Sequence, residues 1–376
     1  MVSDEVVLES IITSDNVSRA EREKCNIEVI DLFCGVGGLT HGILESNLIV
    51  KAGFDFDGSC KYAYEKNNPG VEFFEKDIRT VTVDELEKLY SDNCIKVLVG
   101  CAPCQPFSTL SNGKKADDIP DTRWNLLDEF GRLVSELLPA VISMENVPRI
   151  AKTDVFKKFI EILVKNGYQV DYKIVYCPEY GIPQGRKRMV LLASRLGKIK
   201  IPAGTFTQEN YIKVQDVIGH LPTIGAGETS SIDFLHKASK LNDKNMERIK
   251  KSVPGGSWED WDDESLIAEC HKKTSGNSYK SVYARMKNDD VAPTLTTQFY
   301  RFGTGRFGHP IQNRALSLRE GALLQTFPPE YEFCKEESEI SFTKIGRHIG
   351  NAVPVKLGLA IGTTIYDHIH PSEDAQ

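Results

Sequence analysis

The stretch Ile27-Glu28-Val29-Ile30-Asp31-Leu32-Phe33-Cys34-Gly35-Val36-Gly37-Gly38-Leu39 decides the fold class. An apolar run of strand length ends in closely spaced glycines and passes into a helical pattern. Glycines at a strand-to-helix turn let a ligand approach the backbone closely. The pattern is not a complete G-x-G-x-x-G, because Thr40 stands where the third glycine would be. About twenty residues further on, Asp55 ends a second apolar run, placed to accept hydrogen bonds from a ribose diol. Phe56 could stack on an adenine face, and Asp77, after a third strand, could accept a bond from the adenine amino group. Each has a plainer alternative, a core aromatic and a capping Asp. These residues point to a nucleotide-like cofactor and leave NAD and S-adenosylmethionine both open.

Outward from this turn the chain alternates short apolar runs with helical patterns. The runs are 27–32, 48–54, 96–100, 140–144, 170–176 and 189–193. Leu126, Leu127, Phe130, Leu133, Val134 and Leu137 recur at helical spacing, and a second helix over 154–166 opens on Thr-Asp and stops at Gly167. Strands alternating with helices imply βαβ units: an α/β, Rossmann-like, mostly parallel doubly wound sheet. The texture changes after Lys200, where Pro202, Pro222, Pro254 and Pro293 punctuate a Gly-, Ser- and Lys-rich stretch. The expected organisation is an N-terminal extension (1–26), a catalytic and cofactor domain (27–199), a smaller domain of loops and short strands (200–310), and a return to the first domain (311–376). That return carries a final helix over 353–369, which packs back on the first domain.

The chain's 376 residues exceed the size of a usual single core, so two domains are the default. Composition is that of a soluble globular protein, with no apolar stretch of spanning length and no basic or apolar leader at the N-terminus. Nine scattered cysteines do not form a disulfide framework and suggest a reducing cytosol. The net charge of −7 argues against nucleic acid globally. Locally, nine Lys/Arg stand against two Asp between His271 and Arg319, the footprint of one basic face or of a solvated surface stretch.

Ala102-Pro103-Cys104-Gln105-Pro106-Phe107 follows an apolar run, so a thiol sits at the carboxyl edge of the sheet, where open α/β sheets place their chemistry. The two prolines stiffen this loop and display the thiol. Cys101 and Cys104 form a C-x-x-C, but no second ligand pair supports zinc, and Pro106 is awkward for a redox helix. Ser143-Met144-Glu145-Asn146-Val147 ends the next strand with a carboxyl suited to an amide-like edge, or to simple capping. In Tyr180-Gly181-Ile182-Pro183-Gln184-Gly185-Arg186-Lys187-Arg188, alternate residues Gln184, Arg186 and Arg188 are expected on one strand face. Two guanidiniums there call for anionic or carbonyl partners unless the face is solvated. Gly350-Asn351-Ala352-Val353-Pro354 reads as a turn before the last helix.

The order D-L-F-x-G-x-G-G, P-C-Q, E-N-V, Q-x-R-x-R and G-N-x-V resembles the signature of the cytosine-5 DNA methyltransferases, bacterial type, over about residues 27–370. The resemblance implies a Rossmann-like methyltransferase domain with an inserted target-recognition domain. It implies a base flipped from the duplex, Cys104 attacking cytosine C6, Glu145 holding N3 and the exocyclic amine, Arg188 facing O2, and Arg186 supporting the thiolate or its loop. The cofactor would be S-adenosylmethionine, leaving as S-adenosylhomocysteine, against Phe33, Gly35, Gly37, Gly38, Asp55, Phe56, Asp77, Ile78, Pro103, Leu126, Asn351 and Val353. No metal is needed.

The resemblance also makes 107–123 a mobile catalytic loop, with Ser108, Lys114, Lys115 and Arg123 towards phosphates. Gln184, Thr294, Gln298, Arg301 and Arg306 are expected at the DNA, the last three at base edges. Thr294-Leu295 matches a pair the family keeps. Double-stranded DNA is the implied partner, with a cognate restriction endonuclease as a candidate second one and no membrane. The expected state is a monomer in the cytoplasm at the nucleoid, or in the nucleus of a eukaryote. Two departures stand out: Ala102 before Pro-Cys, and Asp55 where relatives often carry glutamate. Methylation of tRNA goes with a Cys-Phe-Thr triplet absent from the recognition region. A silent regulator usually loses Pro-Cys or Glu-Asn-Val, both kept here. The incomplete glycine pattern speaks against an NAD oxidoreductase.

Overall fold

The computed structural model describes residues 25–103, 125–273 and 279–371. In chain order the elements are β1 (Ile27–Leu32), α1 (Gly38–Leu44), β2 (Ile49–Asp55), α2 (Lys61–Asn67), β3 (Glu72–Glu75), α3 (Val83–Glu87) and β4 (Ile95–Gly100). Then follow α4 (Asn125–Leu137), β5 (Val141–Asn146), α5 (Asp154–Lys165), β6 (Gln169–Tyr176), β7 (Gln184–Gly185) and β8 (Lys187–Ser194). The remainder holds α6 (Val214–Ile218), α7 (Asp243–Lys251), β9 (Ala292–Pro293), α8 (Leu318–Leu324), α9 (Phe342–Asn351) and α10 (Val355–Ile369). Among the described residues no helix is long and apolar enough to cross a membrane.

Seven strands form one sheet in the order β3-β2-β1-β4-β5-β8-β6. Neighbours are parallel from β3 to β5, and β8 runs antiparallel between β5 and β6. The chain builds outward from β1 to β3, then returns to build the other way from β4. Strand order therefore reverses between β1 and β4, the topological switch point at which such sheets bind ligands.

Alternation along the strands divides the apolar interior into two layers. Ile30, Leu98, Ile142 and Leu191 face α4 and α5, meeting Leu127, Phe130, Leu133, Phe156 and Phe159. Val29, Val97, Val141, Val190 and Leu192 face the opposite layer, with Leu39 and Ile43 of α1 and Leu357, Ile361 and Ile365 of α10. The α1–α10 contact runs backbone to backbone: a Cβ added at Gly42 would lie 2.1 Å from the Val355 carbonyl oxygen. Only glycine permits that approach, and it is how the last helix seats on the first domain.

This second layer does not stop at residue 199. Leu235, Met286, Ala292, Leu295, Phe299 and Phe307 belong to the same continuous cluster, so the inner side of 200–310 shares its interior with the sheet. The outer part has satellites of its own around Ile249 and Phe302, and around Trp258 and Trp261. The expectation of short strands in 200–310 needs correcting. The described residues there hold two α-helices, α6 and α7, three single-turn 3-10 helices, and the two-residue β9, which pairs with β7.

Candidate active site

Two loops meet at the switch point. Leu32 and Gly100 are register partners at the ends of β1 and β4, and Cys101 N–H donates to the Leu32 carbonyl at 3.2 Å. The glycine loop and the segment entering Pro-Cys thus leave the sheet side by side. Cys104, with Ser108, Lys114, Lys115 and Arg123, lies outside the described residues. Leading to it, Pro103 is half-buried, and the Ala102 carbonyl accepts a hydrogen bond from Asn146 Nδ2 at 3.1 Å. Asn146 also takes the Val147 N–H at 2.8 Å, so the end of β5 braces the approach to the thiol.

Glu145, at the end of β5, is 2% exposed. Its Oε1 lies 2.9 Å from Arg188 Nε, an ion-pair distance, although among the described residues no N–H is aligned on that oxygen as a hydrogen bond. Its Oε2 accepts from the Cys101 thiol at 2.9 Å. A buried carboxylate between a guanidinium and a neutral donor keeps lone pairs for a planar, amide-like edge.

The stretch Gln184–Arg188 is not one strand: β7 ends at Gly185, Arg186 turns, and β8 begins at Lys187. The expected common face is therefore broken, and Gln184 is corrected from a DNA contact to a buried tie. Its Oε1 accepts the Leu295 N–H at 2.9 Å, and its Nε2 donates to Gln325 Oε1 at 3.0 Å. Gln325 in turn donates to the Ile349 carbonyl at 2.8 Å. Arg186 is also buried, with Nη1 reaching the Leu295 carbonyl at 3.3 Å and Nη2 the Ala352 carbonyl at 3.4 Å. Burial first, and the Arg188 charge second, push its guanidinium down to about 10, and its Nε has no hydrogen-bond partner among the described residues. Thr294 donates to the Gly185 carbonyl at 3.0 Å, completing a seam between β7 and β9.

On the other side of the crevice, Phe33, Gly35 and Gly37 all take positive φ, at 62°, 51° and 88°. For Phe33 that conformation is strained, as is common where a loop is shaped for a ligand. Asp55 closes the turn: Oδ2 accepts the Gly35 N–H at 2.8 Å and Oδ1 the Asp57 N–H at 2.9 Å. Thr40 donates to buried Asp31 at 2.7 Å, which explains why a hydroxyl residue stands where a third glycine was sought. Phe56 is 72% exposed, whereas Ile78 and Val353 are buried and Leu126 is half-buried. Asp77 caps the turn at Ile78–Thr80, its carboxylate taking the Arg79 N–H and guanidinium. Asn351 is exposed as the last residue of α9, so Gly350-Asn351 ends a helix and the turn is Ala352-Val353-Pro354, a second correction.

The donor atoms of Asp57, Cys60 and His348 lie within 4.8 Å of one another. Arg347 Nη2 donates to Asp57 at 2.6 Å, and His348 Nε2 lies 3.0 Å from Ser59 Oγ. Burial pushes the His348 imidazole down to about 4, so it is neutral at neutral pH. With the carboxylate already matched by a guanidinium, this is a clamp joining the loop after β2 to α9.

The family model of the C-5 cytosine-specific DNA methylases matches residues 27–367. The chain belongs to that family. It is 54% identical over 340 residues to the Type II methylase M.HgiDII of Herpetosiphon aurantiacus, covering 90% of this chain and 94% of that protein. It is 32% identical over 351 residues to the Type II methyltransferase M.PspPI of Psychrobacter sp., covering 90% and 78%. A solved mutant of Spodoptera frugiperda DNMT2 shares the fold, with TM-score 0.63 at 18% identity over 91% of this chain and 100% of that one. The protein is thus a DNA cytosine-5 methyltransferase, an enzyme transferring a methyl group to C5 of cytosine in DNA.

In this methyltransferase the basic run of 271–319 is only partly available to DNA. Arg285, Arg314 and Arg319 are buried, and Lys272, Lys280 and Lys287 have carboxylate partners. Gln298 and Arg301 are exposed and Arg306 is half-buried, and neither arginine has a carboxylate within ion-pair distance among the described residues. Sequence reasoning missed two residues at the site. Gln325 lies in an ordinary helix end with no motif signal. Cys101 was visible only as half of a C-x-x-C.

Proposed function

We propose that the chain is the sequence-specific modification enzyme of a Type II restriction–modification pair, acting as a monomer in the cytoplasm on duplex DNA at the nucleoid. A cognate endonuclease would cut the same site. The observation that supports the mechanism is the convergence at one switch point of the segment 101–103, which leads to Cys104, buried Glu145 with Arg188, and the glycine loop. The cofactor residues fit S-adenosylmethionine. A Cβ on Gly35 would meet nothing within 4 Å, so the loop is open above its backbone. Phe56 offers a bare aromatic face, and the buried Asp31 Oδ1 has no hydrogen-bond partner among the described residues. When bound, that group supplies an electrophilic methyl for C5.

The chain's own residues do the rest. The target base leaves the stack, which costs a few kcal/mol and is offset by contacts in the crevice. Glu145 holds the N3 and amine edge and balances the charge that develops there, and Arg188 faces O2. The Cys104 thiolate adds to C6, making C5 nucleophilic. After methylation a base removes the C5 proton, and the electron pair expels Cys104. Arg186 supports the loop through its spare Nε–H. Residues 200–310 read the sequence, with Gln298, Arg301 and Arg306 at base edges and Thr294 anchoring the start of the segment that carries them. Lys114, Lys115, Arg123 and Ser108 meet the backbone.

The test is transfer of labelled methyl from S-adenosylmethionine to duplex DNA and, separately, to tRNA, followed by nucleoside analysis and bisulfite sequencing. Label in 5-methyldeoxycytidine at one recurring sequence is expected; label in RNA alone would overturn the substrate. Cys104→Ala should abolish transfer with DNA still bound. Glu145→Gln should slow single turnover by about 10²–10⁴, the usual worth of a positioned acid–base group.

A further inference from the structure

We propose that Cys101 is a positioning residue whose thiol orients the Glu145 carboxylate for the incoming cytosine. The inference rests on the reading that Glu145 contacts the base. Gly100 of β4 pairs with Met144 of β5, so the next residue on each strand, Cys101 and Glu145, emerge side by side at the switch point. The thiol Sγ lies 2.9 Å from Glu145 Oε2. Among the described residues this is the aligned donor to that carboxylate, since the Arg188 contact on Oε1 is one of charge and not of an aimed N–H.

The chemistry suits a group that must be held and then shared. An ionised carboxylate has about four acceptor positions, so one weak donor fixes its plane and leaves room for the exocyclic amine and N3 edge. A second cation would compete with the base for the same charge. A hydroxyl would bind more strongly than the S–H, which is a weak donor and cheap to displace.

Single-turnover methyl transfer on duplex DNA tests this with C101A, C101S, E145Q and the double variant C101A/E145Q, each checked by thermal melting. C101A should slow the step by about three- to tenfold, the worth of one ordinary hydrogen bond, with KM for DNA and for methyl donor unchanged. C101S should recover to within about twofold, and C101A should add nothing in the E145Q background. If C101A runs at the wild-type rate while E145Q is slow, the positioning role is wrong and the catalytic reading stands. If C101A and C101S are equally slow, Cys101 merely packs and the proposal falls. An E145Q enzyme as fast as wild type would remove both.

Discussion

The sheet and the segment from 200 to 310 satisfy a buried interior by different means. In the sheet, ladders pair the backbone, and alternate apolar residues fill the layers on either side, Val29 towards one and Ile30 towards the other. In the later segment ladders are scarce, and buried guanidiniums take over the carbonyls. Arg285 donates to the carbonyls of Ile249, Ser252, His309 and Gln312. Just past its end, Arg314 is fully buried and ties the segment to the return of the chain, bonding the Ile224 and Ala315 carbonyls and both oxygens of Glu320. Arg248 reaches the Leu266 carbonyl and lies 4.6 Å from the Tyr283 ring centroid. Buried carbonyls must find donors somewhere, and the five-donor fork of arginine reaches several loops at once. Hence an arginine in an irregular segment is as readily a brace as a DNA contact, and counting them overstates the basic face.

The largest effect that would test this contrast is Arg314→Ala. It strands Glu320, a fully buried carboxylate, and should cost about 3–5 kcal/mol, read by urea unfolding. Tolerance of that change would mean the second segment is held by apolar packing, like the sheet. Arg285→Lys keeps the charge and loses the fork, so about 1–3 kcal/mol is expected.

Asp31 probes the sheet side. Burial, and then the Asp55 charge, push its carboxyl up to about 7. An acid so raised keeps its proton in the folded chain after the unfolded chain has released it. Its contribution to stability is therefore full at low pH, declines above about pH 4 and is gone above about pH 7. Asp31→Asn should flatten that slope in unfolding curves taken across the range. Smallest in stability is Arg301→Ala, exposed and outside the brace network. It should leave stability within about 0.5 kcal/mol yet weaken binding to the recognised DNA sequence by about 1–3 kcal/mol and relax the preference at one base pair.

The same contrast governs what could be read before the fold was seen. β1 and α5 follow from local signals, an apolar run broken by Glu28 and Asp31 and a Thr153 cap ahead of a helical stripe. The helix α9 escaped because Gly346 and Gly350 interrupt its pattern; both sit against backbone or ring atoms of the segment 296–300, where a side chain would clash. The run Gln184–Arg188 was read as one strand because alternation predicts it, whereas β7 is pulled from that line to pair with β9, over 100 residues away. At the site, Glu145 and Arg188 were named from their motifs, but nothing local announces that Cys101 meets Glu145.

By itself the sequence determined the alternation of strands and helices, the glycine turn after β1 and the family, since each is written in contiguous residues with their own backbone preferences. The tertiary structure decided the strand order that sets β1 beside β4, the antiparallel entry of β8 that brings Arg188 to Glu145, and which arginines brace loops and which face outward. Those are contacts between residues far apart in the chain. They depend on which surfaces bury each other and which carbonyls need donors, and neither is fixed by local periodicity.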